Sequence, residues 1–433
     1  MPRAEKARSG DRAARAPEKA GSPARADLQP PVGAVAVDAP RVWPDAVPGL
    51  GAAARFDVRV DVTTDALAKR WQAWATQAAA TPFQGIRWLQ AWYASIGRAL
   101  GDPLLVAVFD RRKGGLAALL PLIRRSGSLR TIEFADDGVS DNNAPVLGPA
   151  SPTDAATARL LFSALRRALP VADVIRFTKM PVAVESRINP LTLLPGAQKS
   201  SLNSNIVAIE GRWDDYLASL KGSLRRQMDR NWRALATHAG VEFRRIRESK
   251  EAATILTALE RQQSARLKSG ALPYRLDESE FAEFYRSVTV GGVADGSVVL
   301  TALMCGAEVV ATLLGVARGA SFIMLRSSIG AEKWQRCSPG RLLIVRTMQA
   351  LHEAGYRYFD LSIGEYDYKR RLGAQGRPLF DLSVALSLRG LPVAAYDRAK
   401  HWSRQHSLVH SLARRVVRSA GSLKAQSSKT DPA

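Results

Sequence analysis

The spacing of hydrophobic residues predicts two successive blocks of helices and strands. Apolar residues at every third or fourth position predict helices, and apolar residues at every second position predict strands. The first block has predicted strands at 56–60, 104–110, 115–122, 130–134 and 174–177, and predicted helices at 65–80, 86–96 and 152–169. Because a short turn at 111–114 joins two of these strands, the block contains an antiparallel hairpin.

The second block repeats this order of helices followed by a strand meander. Its predicted helices are 214–238, 250–267, 279–290 and 340–354, and its predicted strands are 206–210, 298–305, 308–317, 320–327, 356–361 and 380–388. The repetition indicates a duplicated module. We therefore expect an α/β protein of the α+β kind, with two modules that each contain a mixed, largely antiparallel sheet flanked by helices.

Composition divides the chain into four parts. Residues 1–54 are rich in Ala, Pro, Gly and Arg without periodicity, so they are predicted to be a disordered leader. A polar stretch from Lys199 to Asn205 separates the blocks and predicts modules at 55–200 and 201–395. Residues 396–433 are predicted to be a basic helix and tail whose apolar stripe packs on the body or docks on a membrane surface.

Charge and composition limit the classes of function. The 433 residues carry a formal net charge of +22, which suits a polyanionic cofactor, a nucleic acid or an anionic lipid surface. Two cysteines and five histidines have no metal-ligand spacing, so no metal is expected. Because the chain lacks an apolar run of about 20 residues, we expect a cytoplasmic protein, with peripheral attachment at the inner membrane as the alternative.

Two segments carry candidate chemistry. In the first, Pro339 has no N–H and Gly340 has no side chain, so the turn that opens the predicted helix is expected to leave the N–H groups of Gly340 to Leu343 free to face an anion. The second follows the predicted strand at 356–361 and contains Asp360, Gly364, Glu365, Tyr366, Tyr368 and Lys369. Together they predict group transfer from a phosphate-bearing carrier.

Several motifs jointly resemble the CelD/BcsL-like branch of the GNAT acetyltransferases, whose layout is similar to the tandem-GNAT Fem transferases. The motifs are Thr81-Pro82-Phe83-Gln84, Trp88-Leu89-Gln90-Ala91-Trp92, Ala117 to Leu122, Ser140-Asp141, Leu224-Arg225-Arg226-Gln227, Ser338-Pro339-Gly340, and Asp360 with Gly364, Tyr368 and Lys369. The resemblance spans residues 56–395. It implies an N- or O-acetyltransferase that uses acetyl-CoA or another acyl-CoA on a sugar or cell-envelope precursor, in cellulose or exopolysaccharide biosynthesis.

The resemblance also implies roles for individual residues. The coenzyme pyrophosphate would be held by Arg336, Ser338, Gly340, Arg341, Leu342 and Leu343. Glu365 or Asp360 would accept a proton from the acceptor, and Tyr368 would return one to the leaving thiolate. Asp141 and Lys369 would contact the substrate, although Asp141 also fits a plain turn and Lys369 a structural salt bridge.

Three alternatives remain open from the residues alone. A Fem-like transferase would take its donor from aminoacyl-tRNA, for which the arginines between Arg225 and Arg233 supply a basic helix. The same arginines also fit an ordinary charged outer face. A chain that binds without turnover would instead be a scaffold associated with a polysaccharide synthase.

Overall fold

The computed structural model describes residues 55–64, 67, 73, 77–269 and 278–405, with the ends of two helices (267–269 and 401–405) described by their backbone alone. The predicted leader at 1–54 and the predicted tail beyond residue 405 lie outside the described residues. Most of the predicted helix at 65–80 also lies outside them.

One sheet of thirteen strands runs through the described residues. Its spatial order is β1 (Phe56–Asp61), β2 (Gly101–Asp110), β3 (Gly115–Arg125), β4 (Thr131–Phe134), β6 (Val174–Pro181), β15 (Gln375–Ala385), β9 (Gln198–Ala208), β14 (Tyr358–Asp360), β13 (Ser321–Ile329), β12 (Glu308–Arg318), β11 (Val298–Cys305) and β10 (Val241–Ile246). Strand β5 (Val146–Leu147) pairs with β3, and β7 (Ala183–Val184) with β8 (Arg187–Ile188) in a separate hairpin. The β4/β6 and β13/β14 pairs are parallel.

Helices follow or cover these strands. They are α1 (Ile86–Ala94), α2 (Ile96–Leu100), α3 (Ala155–Ala168), α4 (Trp213–Ser219), α5 (Gly222–Ala236), α6 (Ser249–Ser269), α7 (Ser279–Gly292), α8 (Pro339–Glu353), α9 (Asp367–Arg371) and α10 (Leu391–Gln405). Within the described ranges, each helix is too short or too polar to span a lipid bilayer.

The sheet consists of two halves with the same internal order. In the first half β1 to β4 form an antiparallel meander, α3 follows, and β6 returns parallel to β4. In the second half β10 to β13 form the meander, α8 follows, and β14 returns parallel to β13. The expected α+β fold is therefore confirmed, with one large mixed sheet flanked by helices.

The two halves exchange their final strands. Strand β9 follows β6 in the chain but pairs with β14, and β15 follows β14 but pairs with β6. Strands β9 and β15 also pair with each other and so close the sheet between the halves. The boundary predicted between residues 200 and 201 falls inside β9, and the division into modules at 55–200 and 201–395 stays a prediction.

The secondary structure of three segments differs from the prediction. The polar stretch from Lys199 to Asn205, which was predicted to separate the blocks, lies within β9, where Ser204 and Asn205 donate to the carboxylate of Asp360. The predicted helix at 214–238 is interrupted between α4 and α5, and strand β10 was not predicted. Residues 77–80 are not helical, and Ala79 instead forms a bridge with Leu147.

The apolar core joins the halves as well as filling each of them. Leu161 and Leu165 of α3 are buried in a cluster of the first half, and Leu343 and Met348 of α8 are buried in a cluster of the second. A third cluster contains α1 from the first half and α7 from the second. There Trp88 meets the ring of Phe284 edge to face, with the centroids 4.8 Å apart.

Gly315 provides a test of the packing between β12 and β13. A Cβ atom at this position would lie 2.3 Å from the Phe322 ring and 2.4 Å from the Ile323 carbonyl oxygen. Because the backbone oxygen cannot move aside, we expect Gly315→Ala to lower the free energy of unfolding by about 1–3 kcal/mol in urea titrations. In the control Gly115→Ala the new atom lies 3.8 Å from the nearest neighbour, so stability should be unchanged. Equal midpoints for the two variants would contradict this packing.

Candidate functional site

The sheet opens beside the start of α8. Strand β13 pairs with β14 only from Ser321 to Ile323, although β13 continues to Ile329. After Asp360 the chain leaves β14 and forms a loop at 361–366. Open sheets bind ligands where neighbouring strands separate at their carboxyl ends. The predicted anion turn and the predicted acid, tyrosine and lysine motif both belong to this opening.

The entrance of α8 differs in part from the prediction. Ser338 has a left-handed backbone, with φ 49° and ψ 51°, and its carbonyl accepts the N–H groups of Arg341 at 3.1 Å and Leu342 at 3.3 Å. These two N–H groups are therefore not free, and the prediction that they face an anion is wrong. A Cβ atom at Gly340 would lie 3.1 Å from the Ile329 side chain, so a larger residue here would require that side chain to shift.

The remaining predicted coenzyme contacts fall into two groups. The side chains of Leu342 and Leu343 are buried in the core, so only their backbone faces the turn. Arg336 is exposed and Arg341 is half-buried, which leaves two guanidinium groups at the positive end of the α8 dipole. The entrance therefore presents positive charge, with fewer free N–H groups than predicted.

Asp360 anchors the loop that follows β14. Its buried carboxylate accepts the Ser204 hydroxyl at 2.6 Å, the Asn205 N–H at 3.1 Å and the Ser362 N–H at 2.8 Å. Burial raises the pKa of Asp360, and the charge of Lys369 opposes this shift. Because three donors already occupy its oxygens, Asp360 holds the loop in place.

Lys369 holds the same loop from the other side. Its side chain is 2% exposed, and Nζ donates to the carbonyl oxygens of Ser362 at 2.9 Å and Ile363 at 2.7 Å. Burial lowers the pKa of Lys369, whereas the carboxylates of Asp360 and Asp141 raise it. The geometry therefore gives Lys369 a structural role through hydrogen bonds to two carbonyl oxygens. The predicted substrate contact and the predicted salt bridge of Lys369 both stay predictions.

Glu365, Tyr366 and Tyr368 lie at the rim of this loop. Glu365 is exposed and accepts the Asn203 amide at 3.2 Å. Tyr366 is exposed and stacks on Tyr368, with the ring centroids 6.1 Å apart. Burial raises the pKa of Tyr368, so its phenol keeps its proton at neutral pH. The roles of Glu365 as base and Tyr368 as acid stay predictions.

A second loop, at 135–145, comes from the first half of the sheet and is organised by Asp136. The Asp136 carboxylate accepts the N–H groups of Gly138 at 3.1 Å and Ser140 at 2.9 Å, and the Asn143 amide at 2.9 Å. It also pairs with Lys179 of β6 at 2.6 Å. Lys179 has a positive φ of 58°, a strained conformation of the kind found near functional sites.

Asp141 joins the two loops. Its carboxylate lies near Ser362 of the second loop, and burial raises its pKa to about 6, with the nearby charge of Asp360 adding to the shift. Its Oδ2 atom is buried without a hydrogen-bond partner in the described part of the chain, as are Ser140 Oγ and Asn142 Oδ1. A carboxylate with a vacant oxygen and a pKa near neutrality suits a general base.

The structure thus brings Asp141, Asp360 and Lys369 together from both halves of the sheet. The sequence analysis missed Asp136, Lys179, Ser204 and Asn205, which position them. The alternation of serine and asparagine up to Ile206 was the available signal for the last two, because it continues the period of the adjoining strand.

Comparison with known proteins gives the class of one segment. Residues 222–370 match the family model of the acetyltransferase (GNAT) domain, which suggests an acyltransferase. No curated protein sequence matches the chain. The matched segment begins with α5 and includes the α8 entrance, β14 and Lys369.

Solved structures resemble the described fold at low sequence identity. FemX is 13% identical with a TM-score of 0.48, over 70% of this chain and 92% of that chain. A conserved protein of unknown function from Bacteroides thetaiotaomicron is 14% identical with a TM-score of 0.47, over 76% of this chain and 100% of that chain. A tandem GNAT protein from the clavulanic acid biosynthesis pathway is 12% identical with a TM-score of 0.41, over 76% and 99%.

The structural role of Lys369 can be tested by removing its charge. We expect Lys369→Met to lower the free energy of unfolding by about 1–3 kcal/mol, because it leaves the carbonyl oxygens of Ser362 and Ile363 without their donor and removes a positive charge that favours the Asp360 carboxylate. The double variant Asp360→Asn/Lys369→Met should lose less, since no unpaired charge remains. Urea unfolding measures both. A Lys369→Met loss below about 1 kcal/mol would contradict a structural lysine.

The Asp141 carboxyl predicts a pH-dependent difference in stability. Its pKa is raised in the folded protein, so its stabilising contribution is complete below its unfolded pKa and is lost as pH rises through about 6. Compared with the wild type, Asp141→Asn should therefore gain stability between about pH 4.5 and pH 8, by roughly 1–3 kcal/mol.

Urea unfolding at the two pH values measures this difference. The control Asp136→Asn removes a carboxylate that is paired with Lys179, so it should be less stable than the wild type at the higher pH. If Asp141→Asn instead loses stability relative to the wild type as the pH rises, the carboxylate is stabilised in the folded protein and the stated direction of its pKa is wrong.

Proposed function

We propose that the protein is an acyltransferase that uses acetyl-CoA or another acyl-CoA and acylates an amine or hydroxyl of a sugar or cell-envelope precursor. The observation that carries this proposal is the match of residues 222–370 to the acetyltransferase (GNAT) domain, because the matched segment contains the strand opening, the α8 entrance and the loop after β14. Involvement in cellulose or exopolysaccharide biosynthesis is part of the proposal and rests on the motif resemblance.

The donor would bind at the entrance of α8. The coenzyme diphosphate is an anion, and a helix N-terminus with nearby arginines attracts anions. Arg336 and Arg341 are placed to supply this charge, with the backbone at Ser338 and Gly340 next to them. Cys337 is buried in the core, so a covalent intermediate on this thiol is not part of the proposal.

Acyl transfer would then proceed by direct attack. The acceptor nitrogen or oxygen forms a bond with the thioester carbonyl carbon, the carbon–sulfur bond breaks, and the coenzyme leaves as a thiolate. The acceptor proton passes to a protein base, and the thiolate takes a proton from Tyr368 or from water. Only groups that face the reacting atoms can take part in these proton transfers.

Three carboxylates are candidates for the base. The oxygens of Asp360 already accept three donors, which argues against it. Glu365 is exposed at the rim, where a base would act on a partly solvated acceptor. Asp141 combines a vacant oxygen with a raised pKa, and we assign the proton to it in preference to Glu365.

A second candidate function follows from α5. Arg225, Arg226, Arg230 and Arg233 are all exposed on this helix, and they form a basic surface within the matched segment. Such a surface suits an aminoacyl-tRNA donor, as in a Fem-like transferase. A scaffold that binds acyl-CoA without turnover would be the non-enzymatic alternative, and association with a membrane or a polysaccharide synthase fits either case.

A thermal-shift experiment distinguishes these donors. We expect saturating acetyl-CoA to raise the melting temperature of the full chain, because a ligand at 100 times its Kd stabilises the folded state by about 2.7 kcal/mol. The double variant Arg336→Glu/Arg341→Glu should lose this increase, whereas Arg166→Glu on α3 should keep it. An increase with aminoacyl-tRNA alone would favour the second function. No increase with any acyl-CoA, and an unaffected charge-reversal variant, would overturn the donor site.

A further inference from the structure

An open cavity lies on the first half of the sheet, beside the C-terminal part of α3. Its volume is about 620 Å³, and it is lined by α3, by the connection at 169–172 and by Val384 and Leu386 at the end of β15. Three of its lining residues are arginines, Arg159, Arg166 and Arg167. We infer that this cavity and the apolar residues beside it bind an anionic phospholipid at the surface of a bilayer. The inference goes beyond the proposed acyl transfer and does not depend on it.

The three arginines share one face of α3 and have no acid beside them. Residues seven and eight positions apart lie two turns along the same helix face, so Arg166 and Arg167 follow Arg159 on one side. All three are exposed, and the described residues that line the cavity include no aspartate or glutamate. The ion pairs of the described residues involve none of the three. Other arginines of the first half do pair with carboxylates, namely Arg55, Arg124, Arg125, Arg130 and Arg176.

The helix dipole explains only part of this pattern. Its negative end favours cations in the last turn of α3, which accounts for Arg166 and Arg167. It does not account for Arg159 in the second turn, nor for the apolar residues Phe162 and Leu169 that line the same cavity. Guanidinium groups bind phosphates, and apolar side chains bind hydrocarbon. The combined lining therefore suits a molecule with a phosphate and an alkyl chain.

Two strongly exposed apolar side chains lie next to the cavity. Val171 lines it and is 69% exposed, and Leu388, two residues after the lining residue Leu386, is 84% exposed. The two segments are bonded to each other through Asp173. Its carbonyl accepts the N–H of Leu386 at 2.8 Å, and its carboxylate accepts the hydroxyl of Ser387 at 2.7 Å. Val171 and Leu388 therefore project from one hydrogen-bonded corner of the fold.

The same corner continues with basic and apolar residues. Arg389 is exposed and takes part in none of the ion pairs of the described residues, and Leu391 at the start of α10 is 48% exposed. Grouped exposed apolar side chains mark interaction surfaces. Where arginines accompany them, the apolar residues can insert among lipid chains while the guanidinium groups bind the phosphates of an anionic leaflet. A bilayer surface satisfies both kinds of residue at once.

Other occupants satisfy only one of them. A second copy docked about a two-fold axis would place the arginine-rich surface of each copy against that of the other, and like charges repel. A nucleic acid would offer phosphates to the arginines, but its charged backbone supplies no hydrocarbon for Val171 and Leu388. The combination of unpaired arginines with exposed apolar side chains therefore favours lipid.

This surface lies at the end of β6 that is remote from the candidate site. Asp173 immediately precedes β6, whereas Lys179 near the other end of the strand pairs with Asp136 of the loop at 135–145. At about 3.3 Å per residue, Asp173 and Lys179 are roughly 20 Å apart. A bilayer bound beside Asp173 would therefore leave that loop open to substrates from solution.

The first test measures the contribution of charge by co-sedimentation of the full chain with vesicles, at about 0.15 M salt to screen distant charges. Vesicles of phosphatidylcholine with phosphatidylglycerol should bind at least about tenfold more tightly than phosphatidylcholine alone. Arg166→Glu/Arg167→Glu should weaken binding to the anionic vesicles by about tenfold or more. The matched control Arg225→Glu/Arg226→Glu makes the same change in net charge at an exposed pair on α5, and should change binding by less than about threefold. Equal weakening by the two variants, or equal binding to both kinds of vesicle, would overturn the inference.

The second test measures the contribution of the apolar residues. Val171→Ser/Leu388→Ser should weaken binding to the anionic vesicles by about tenfold. The control Val182→Ser/Ile188→Ser alters two other exposed apolar side chains beyond the far end of β6, and should bind like the wild type. Because each of these variants changes exposed side chains, their melting temperatures should stay within a few degrees of the wild type. Unchanged vesicle binding by Val171→Ser/Leu388→Ser would overturn the assignment to a bilayer.

Two further outcomes identify the other occupants. If Arg166→Glu/Arg167→Glu weakens binding of an RNA hairpin as much as it weakens binding of anionic vesicles, the arginines recognise phosphates in general and the inference is overturned. A dimer in analytical ultracentrifugation that this variant alters, together with no vesicle binding by the wild type, would assign the surface to a second copy and would also overturn it.

The acetyl-CoA shift in melting temperature separates this inference from the proposed function. Arg166→Glu/Arg167→Glu should keep the full shift, because the proposed donor site lies at α8. Loss of the shift in this variant would show that the cavity serves the donor, and would overturn its assignment to lipid. Vesicle binding by a wild type that shows no acetyl-CoA shift would support the lipid surface and contradict the proposed donor alone.

Discussion

The candidate site depends on the pairing of β9 with β14. Strand β9 leaves the first half of the sheet and carries Ser204 and Asn205 to the end of β14, where they hold the Asp360 carboxylate. Asn205 also donates to the carbonyl oxygens of Ser362 and Gly364, and so determines the path of the loop. This exchange of strands thus places two residues of β9 beside Asp360. The pairing therefore determines both the continuity of the sheet and the geometry of the buried polar cluster.

The polar cluster is stabilising in some parts and destabilising in others. Two groups of satisfied charges fix the two loops. One is Asp136 with Lys179, and the other is Asp360 with its donors and the nearby charge of Lys369. Asp141 is held between these pairs, where burial raises its pKa and leaves one oxygen without a partner. Sites that act on substrates often keep such an unfavourable group in a rigid setting, because binding relieves the cost.

Local sequence patterns predicted much of the fold and part of the site. Periodicity and turn residues predicted the meander of β11 to β13 and helix α8. Motif resemblance singled out Asp141, Asp360 and Lys369. The exchange of β9 and β15 could not be predicted, because it depends on pairings between residues about 170 apart in the chain, such as Ile206 with Gln375. The stretch from Lys199 to Asn205 was predicted to separate the blocks for the same reason, since the partner of Ser204 and Asn205 lies far away in the sequence at Asp360. The bonds of Arg341 and Leu342 to the Ser338 carbonyl are the ordinary first bonds of a helix, so they follow once the first residue of α8 is known. The left-handed backbone at Ser338 is the feature that sequence alone does not reveal for a serine.

The difference between the two halves explains why the entrance of only one of two corresponding helices is expected to bind an anion. Helices α3 and α8 occupy corresponding places, each after a meander and before a parallel strand. At the start of α3 the carboxylate of Asp154 accepts the N–H of Thr157 at 2.8 Å, so a protein carboxylate already occupies the positive end of that helix. At the start of α8, within the described residues, Ser338 gives no side-chain cap, and Arg336 and Arg341 add positive charge nearby. Because a built-in carboxylate repels a second anion and an uncapped, basic entrance attracts one, the proposed donor would bind at α8 rather than at α3.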